Sequence, residues 1–190
     1  MSHLLPSGLQ HAPFSIEKAC KEGISYKKLR IWLQQRRIEQ LERGIFRATG
    51  ARDYCETDLF KSALLRIGEP SAICLLSALA YYHLTDEIPH KTWIMVPRSK
   101  RSKQPDLRLV RVTHPYFEIG IVSQTGLRMT SLERTLVEAI TKSRYLGKSI
   151  GFQALNQALL EKKTTLNAVI KMANQLGVIQ KLLPVIEVLL

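Results

Sequence analysis

The chain of 190 residues is 45% hydrophobic and 23% charged, a composition that excludes a disordered or collagen-like protein. Its length allows one core, or a small module beside a larger domain. The 28 lysines and arginines outnumber 16 acidic residues, and the resulting net charge of +12 indicates an anionic partner: nucleic acid, an acidic protein or an anionic membrane.

The first elements predicted along the chain are two short helices and a hairpin. Ser15 and Ser25 have the properties of helix N-caps, and Gly23 between them predicts a short turn, which is the spacing of a helix-turn-helix. The apolar stripe of the second helix is Leu29, Trp32 and Leu33. The segment "ERGIFR", residues 42–47, then predicts a β-hairpin. This order of elements predicts a winged helix-turn-helix over residues 1–52.

The outer face of the second helix is the sharpest functional signal in the sequence. Major-groove reading needs a helix that is anchored on one side and offers hydrogen-bond donors on the other. The side chains predicted to contact DNA from this helix are Ser25, Tyr26, Lys27, Lys28, Arg30 and Gln34. Arg43 and Arg47 of the hairpin are expected along the backbone or in a minor groove. The alternative interpretation is a solvated basic face without a ligand.

Residues 53–190 predict a larger α+β domain with a small antiparallel or mixed sheet and C-terminal helices. Apolar periodicity predicts helices at residues 57–67 and 72–82, and short runs of strand formers predict three or four antiparallel strands between residues 91 and 131, one of them at 116–123. Ser131 is the expected N-cap of the next helix, and helical stretches follow at residues 152–160, 166–176 and 178–190.

A second basic patch lies in the polar loop "PRSKRSKQPD". Its cations are Arg98, Lys100, Arg101 and Lys103. This loop could extend a DNA footprint, bind RNA or hold an acidic protein, or it could be solvated without a ligand. It supports the alternative hypothesis of a protein or RNA interaction module that acts through this loop and the C-terminal domain.

Cysteine usage and hydropathy bear on the location of the protein. Cys20, Cys55 and Cys74 are widely spaced and form no CxxC pair, which favours reduced thiols in a cytoplasm over a disulfide framework or a zinc site. The amino terminus lacks a signal-peptide pattern, and the longest apolar stretch, residues 72–82, is far shorter than the roughly 20 residues that span a bilayer. We therefore expect a soluble cytoplasmic protein that has no membrane partner.

Catalytic and metal-binding motifs are weakly supported. A nuclease of the PD...ExK type would use Asp106, but "FEIG" places Gly120 where the lysine belongs. The histidines lack paired ligand spacing, Ser77 lacks the glycines of a nucleophile elbow, and no glycine-rich phosphate loop is present. The sequence thus predicts a protein that is not an enzyme and has no catalytic residues, metal site or cofactor. A nuclease or transferase is the third hypothesis.

Five short motifs occur in an order that resembles the AbiEi-type antitoxins of type IV, abortive-infection toxin–antitoxin systems. They are "GISYKKL", "ERGIFR", "SAICLLSALAYYHL", "IMVPRSKR" and "MTSLERTLVEAI", and the resemblance covers residues 14–140. It implies an N-terminal winged helix that represses its own operon by binding double-stranded DNA at repeats in the promoter, expected to be inverted. It also implies a C-terminal domain that counters a nucleotidyltransferase toxin without forming a stable complex.

The resemblance also singles out individual positions. "SAL" at Ser77 and "ERT" around Arg134 become family landmarks, and we expect packing roles for them, with Arg134 pairing with a carboxylate or capping carbonyl groups. Family members often carry aspartate where this chain has Glu138. They often carry glycine where it has Arg36, a difference that changes how the second helix ends.

Overall fold

The computed structural model describes residues 5–51, 56–113, 115–124 and 126–189. These residues form nine α-helices, a sheet of three strands and a sheet of five strands, so the predicted α+β class is confirmed. The chain divides into two compact units, Met1–Glu69 and Pro70–Leu190. None of the described helices is both long enough and apolar enough to cross a bilayer.

The first unit is built on a small antiparallel sheet. A 3₁₀ turn, Ser7–Leu9, precedes the regular elements, which are β1 (Phe14–Ser15), α1 (Ile16–Lys21), α2 (Tyr26–Gln34), β2 (Ile38–Glu42), β3 (Ile45–Ala48) and α3 (Glu56–Ile67). The strand order is β1-β3-β2. The buried core consists of Leu9, Phe14, Ala19, Ile24, Leu29, Trp32, Ile38 and Phe46. The predicted helices and hairpin are thus present and share one core.

Helix α3 belongs to this first unit. The predicted domain boundary lies after residue 52, whereas the compact unit continues to Glu69. Helix α3 contacts β1 and β3. Arg66 near its end forms an ion pair with Glu42 of β2, with 2.7 Å between Nη1 and Oε2. Helix α3 therefore packs against the small sheet.

The predicted serine caps begin both α1 and α2. Oγ of Ser15 accepts the N–H of Lys18 at 3.2 Å, and Oγ of Ser25 accepts the N–H of Lys28 at 3.3 Å. Each serine satisfies one of the backbone donors that a helix leaves open at its N-terminus. Ser25 is thus the N-cap of α2, and Tyr26 is the first residue of the helix.

Both helices also end in the same hydrogen-bonding arrangement. After α1, the N–H of Gly23 donates to the carbonyl of Cys20 and the next N–H donates to Ala19, both at 2.9 Å. After α2, Arg36 donates to Leu33 at 3.0 Å, and the following residue closes the same motif. Gly23 has φ 76° and Arg36 has φ 53°. Both residues are in the left-handed region that such helix ends require, although only glycine adopts it without strain.

The second unit packs helices on a mixed sheet of five strands. Its strands are β4 (Ala72–Ile73), β5 (Thr92–Pro97), β6 (Leu107–Val112), β7 (Ile121–Gln124) and β8 (Leu127–Thr130). Its helices are α4 (Leu75–Tyr81), α5 (Leu132–Thr141), α6 (Ser143–Leu146), α7 (Lys148–Leu160), α8 (Leu166–Gln175) and α9 (Ile179–Leu189). The strand order is β6-β5-β4-β8-β7. Helix α5 contacts all five of the other helices in this unit, namely α4, α6, α7, α8 and α9.

Three expectations for this sheet were wrong. The sheet is mixed, which is one of the two predicted forms, but the strands between residues 91 and 131 are not all antiparallel as expected: β5 pairs with β6 in parallel, and β4 pairs with β8 in parallel. The predicted helix at 72–82 begins only at Leu75, because Ala72–Ile73 form the central strand between β5 and β8. Residues 116–120 form turns instead of strand, and Gly120 has φ 64° at their end. A strand of two residues is too short to show a period of its own.

Candidate nucleic-acid interface

Helix α2 presents a polar and basic face to solvent. Leu29 and Trp32 are buried in the core, so the opposite side of the helix is turned outward. The exposed side chains on α2 are Tyr26, Lys27, Lys28, Arg30, Ile31 and Gln34. At 100° per residue, Lys27 and Gln34 lie opposite the buried stripe, with Arg30 and Ile31 beside them. The predicted residues of α2 therefore share one continuous exposed surface, which we call the α2 face.

The positive charges of the α2 face are not neutralised by acidic residues of the same helix. No acidic residue occurs in α2, and within the described part of the chain no carboxylate forms an ion pair with Lys27, Lys28 or Arg30. Nζ of Lys28 lies 5.2 Å from the centre of the Trp32 ring, on the margin of the face. Such a contact holds the lysine stem in place without neutralising its charge. The face can therefore attract an anion.

The two hairpin arginines have different environments. Arg43 is exposed in the turn between β2 and β3. Arg47 lies opposite Glu39 in the antiparallel register, and its Nε donates to Oε1 of that carboxylate at 2.8 Å. The ion pair holds Arg47 against β2, with only 16% of its side chain exposed. Of the two, Arg43 is the side chain available to a ligand.

The α2 face is extended by two residues that the site prediction did not include. Ile31 is 41% exposed although it is apolar, and an apolar side chain in this position can contact a thymine methyl group. Arg36 is exposed directly after the helix. The sequence did carry a signal for Ile31, because it falls outside the apolar stripe of α2. The left-handed backbone of Arg36 could be foreseen only from the glycine that the family resembled by the sequence often carries at this position.

The second predicted basic patch folds back on itself. Nη1 of Arg101 donates to the carbonyl of Arg98 at 2.6 Å and to that of Lys100 at 3.1 Å. Lys100 is half-buried, whereas Arg98 and Lys103 are exposed. Arg101 is exposed as well, but part of its guanidinium holds the loop, whereas no such contact is seen for the side chains of Arg98 and Lys103 among the described residues. These four residues all belong to the second unit.

Arg134 has the structural role expected for the "ERT" landmark. Its side chain is fully buried, and it donates to the carbonyls of Phe117 and Ile119, the first at 2.8 Å. Its Nε and Nη2 donate to Oε1 of Glu138 at 3.3 and 3.2 Å. Ser77 of the "SAL" landmark is also buried, and its Oγ accepts the N–H of Trp93 at 3.0 Å, which joins α4 to β5.

The cysteines and potential metal ligands are dispersed. Cys20 is an exposed free thiol and Cys74 a buried one, and burial raises the pKa of Cys74 above its ordinary value; Cys55 lies outside the described residues. Asp106 is in the turn before β6. In the described ranges no three histidine, cysteine, aspartate or glutamate residues come together as a metal site requires.

The chain matches no model of a known protein family, and no curated protein matches it.

Proposed function

We propose that the first unit is a winged helix-turn-helix that binds double-stranded DNA, with α2 as its recognition helix and β2–β3 as its wing. The observation that carries this proposal is the α2 face: six exposed side chains on a helix that is anchored by Leu29 and Trp32 and contains no acidic residue. In this geometry Lys27, Arg30 and Gln34 face the bases.

The capped start of α2 suits contact with a phosphate. The Ser25 oxygen accepts the N–H of Lys28, so its hydroxyl hydrogen remains available as a donor, and the partial positive charge of the helix N-terminus adds to it. Tyr26 and Lys28 flank this point, and Arg43 extends the contact to the neighbouring backbone. These phosphate contacts would set the position of α2 along the DNA, while Arg30 and Gln34 discriminate between bases.

The biological role we propose is that of a transcriptional repressor of the AbiEi type. It rests on the α2 face together with the five ordered motifs. In this proposal the protein binds inverted repeats in its own promoter, is not an enzyme, and its second unit counters a nucleotidyltransferase toxin without forming a stable complex. The expected outcome is that co-expression restores growth of cells producing such a toxin from a neighbouring gene, while a pull-down recovers no complex. Continued growth arrest would contradict the antitoxin part alone.

DNA binding can be tested by fluorescence anisotropy with the duplex upstream of the protein's own gene and an unrelated duplex of equal length. We expect tighter binding to the first, with log K falling linearly against log salt by about 0.9 for each phosphate contact. The double substitution Lys27→Ala and Arg30→Ala removes two donors from the α2 face. Its expected effect is a loss of at least about 10-fold in affinity for the promoter duplex, since a good base contact contributes about 1–3 kcal/mol of discrimination.

A matched control is the double substitution Lys171→Ala and Lys181→Ala. These lysines are exposed in the second unit, and their removal lowers the net charge by the same amount. We expect promoter affinity within about 3-fold of the parent protein, because these lysines are not part of the α2 face and surface charges are screened beyond about 10 Å at 0.1 M salt. Equal affinity for both duplexes, or equal losses in the two double variants, would contradict sequence-specific reading by α2.

The second candidate function is binding of RNA or an acidic protein by the loop at residues 98–103. The exposure of Arg98 and Lys103 favours it. If Arg98→Ala and Lys103→Ala together abolish nucleic-acid binding while Lys27→Ala and Arg30→Ala do not, the loop is the binding site and α2 is a solvated basic helix. The two double variants thus separate the hypotheses in a single assay.

A further inference from the structure

The second unit contains a cavity of about 360 Å³ beside α5, lined by side chains of β6, α5 and the end of α8. Its charged groups are those of Arg111, Arg134, Glu138 and Lys142, and Val112 and Leu176 are part of its apolar wall. Arg111 is exposed, so the cavity is accessible from solvent at that rim. A concave site with apolar walls and a few converging polar groups is the usual form of a small-molecule site.

Arg134 also lines this cavity, but it has no donor left for a ligand. A guanidinium carries five N–H groups. Those of Arg134 point to Phe117, Ile119, Met95 and Glu138: Nη1 to the two carbonyls, Nη2 to the methionine Sδ at 3.0 Å and to the carboxylate, and Nε to the carboxylate. Arg134 therefore positions Glu138 and does not itself recognise a ligand.

The two carboxylate oxygens of Glu138 differ in their hydrogen bonding. Oε1 accepts from Nε and Nη2 of Arg134 and from Nζ of Lys142, the last at 2.8 Å. Oε2 is buried and accepts no hydrogen bond from any residue that the structure describes. The side chain is only 4% exposed. Because a buried carboxylate oxygen without a donor is costly, this atom marks a place for a donor on a ligand.

The surrounding cations define the other end of the ligand. Nζ of Lys142 has three hydrogens, of which one points to Glu138. Among the described residues, Arg111 donates one long hydrogen bond, 3.4 Å from Nε to the carbonyl of Lys100, and its Nη1 and Nη2 groups have no acceptor there. Two cations next to one unpartnered acceptor suit a molecule that carries both a hydrogen-bond donor and an anionic group.

We propose that this cavity binds a small organic ligand that carries a hydrogen-bond donor, an anionic group and an apolar body. The donor binds Oε2 of Glu138, the anionic group binds Arg111 and Lys142, and the body packs against Val112 and Leu176. A volume near the lower end of the range for ligand pockets favours a molecule the size of an amino acid or a mononucleotide. The inference concerns the second unit alone and does not depend on DNA binding.

The two sources of this chemistry can be distinguished by titration calorimetry on the full chain. The probes are L-phenylalanine, with an ammonium and a carboxylate, and adenosine 5′-monophosphate, with an exocyclic amine and a phosphate. Each has partners that lack one group: 3-phenylpropionate and phenethylamine for the first, purine riboside 5′-monophosphate and adenosine for the second. We expect one parent probe to bind, and both of its partners to bind at least about 10-fold more weakly, as the loss of a charge-assisted hydrogen bond predicts.

Two variants connect binding to the cavity. Glu138→Gln keeps the shape of the side chain but removes its charge, and is expected to weaken the bound probe at least about 10-fold. Arg111→Ala changes an exposed side chain, so it tests the anionic end even if Glu138→Gln fails to fold, with an expected loss of about 3- to 10-fold. Arg144→Ala, an exposed arginine outside the cavity, is the matched control and is expected to bind as the parent does.

The proposal is overturned by any of three results: neither parent probe binds at concentrations up to about 10 mM, the level of the weakest specific affinities; the single-group partners bind as tightly as the parents; or Arg111→Ala binds like Arg144→Ala. Binding by phenylalanine alone would assign an amino-acid ligand, and binding by the nucleotide alone would assign a nucleotide.

Discussion

Helices α2 and α5 begin alike and place arginine in opposite environments. Each starts from a serine whose Oγ accepts the N–H three residues later, that of Lys28 in α2 and of Arg134 in α5, at 3.3 and 3.2 Å. Arg30 of α2 is exposed, without an ion-pair partner among the described residues, whereas Arg134 is fully buried and uses all five of its donors. The local sequence pattern does not decide between these outcomes.

The difference arises from how many sides of the helix are covered. Within the first unit, α2 packs its apolar stripe on the core beside β2, and its opposite side remains open. Helix α5 is surrounded by α4, α6, α7 and α8, and by the turn before β7, where the carbonyl of Phe117 accepts a hydrogen bond from Arg134. An arginine on an enclosed helix must satisfy its donors within the protein, whereas one on a partly covered helix keeps them for a partner.

The substitution Arg134→Met tests this comparison with the largest expected effect. It leaves Glu138 and two carbonyl groups without their buried donor, and removing one partner of a buried ion pair costs about 3–5 kcal/mol. The chain has two tryptophans, Trp32 and Trp93, one in each unit. Urea unfolding followed by Trp93 fluorescence in a Trp32→Phe background therefore reports the free energy of unfolding of the second unit.

The matched variant is Arg30→Ala, followed by Trp32 in a Trp93→Phe background. It removes an exposed side chain, so we expect the free energy of unfolding of the first unit to change by less than about 0.5 kcal/mol. Similar losses of unfolding free energy in both variants would mean that Arg30 stabilises the fold as Arg134 does. The exposure of Arg30 would then no longer support the α2 face as a binding surface.

The sequence predicted the elements that have a local signal. The caps at Ser15, Ser25 and Ser131 are observed because a short polar side chain before an apolar stripe is a local pattern. The exposed residues of α2 follow from helical periodicity in the same way. The packing role of Arg134 was expected from the family resemblance, and its partners bear it out.

The features that could not be predicted depend on contacts between distant residues. Strand Ala72–Ile73 exists because β5 and β8 lie on either side of it, and Ile73 pairs with Met129 far along the chain. The pairing of Arg47 with Glu39 depends on hairpin register, in which a bulge near Gln40 alters the alignment. Periodicity within one segment contains no information about either contact.

A second prediction tests how closely α5 is enclosed. A Cβ on Gly151 of α7 would lie 2.8 Å from the backbone carbon and oxygen of Ala139 in α5. Helix propensity favours alanine over glycine by about 1 kcal/mol, but overpacking costs about 1–3 kcal/mol, and these backbone atoms cannot move without separating the helices. We therefore expect Gly151→Ala to destabilise the second unit by about 1–2 kcal/mol.

Its control is Ser149→Ala at an exposed position of the same helix. This substitution is expected to change the free energy of unfolding by less than about 0.5 kcal/mol. A Gly151→Ala variant that is as stable as Ser149→Ala would show that α7 can move away from α5, and α5 would then be less enclosed than the comparison requires.

The smallest expected effect concerns the end of α2, where an open helix face and a strained backbone coincide. Arg36 has φ 53° in the motif that glycine closes at the end of α1. The left-handed conformation costs an L-residue about 1–2 kcal/mol, and glycine loses about 0.5–1 kcal/mol of chain entropy, so Arg36→Gly is expected to stabilise the first unit by about 0.5–1 kcal/mol. Urea unfolding followed by Trp32 measures this change.

The matched variant is Gly23→Ala, where a Cβ meets no atom within 4 Å, so only the backbone strain at φ 76° is added. It is expected to destabilise the first unit by about 1 kcal/mol. If Arg36 also contacts a phosphate, Arg36→Gly lowers the salt slope of promoter binding by about 0.9 while raising stability, and Gly23→Ala leaves that slope unchanged. A stabilised variant with an unchanged slope would mean that the arginine strains the end of α2 without binding DNA. Opposite shifts in stability and affinity would explain why a cation occupies a position whose backbone favours glycine.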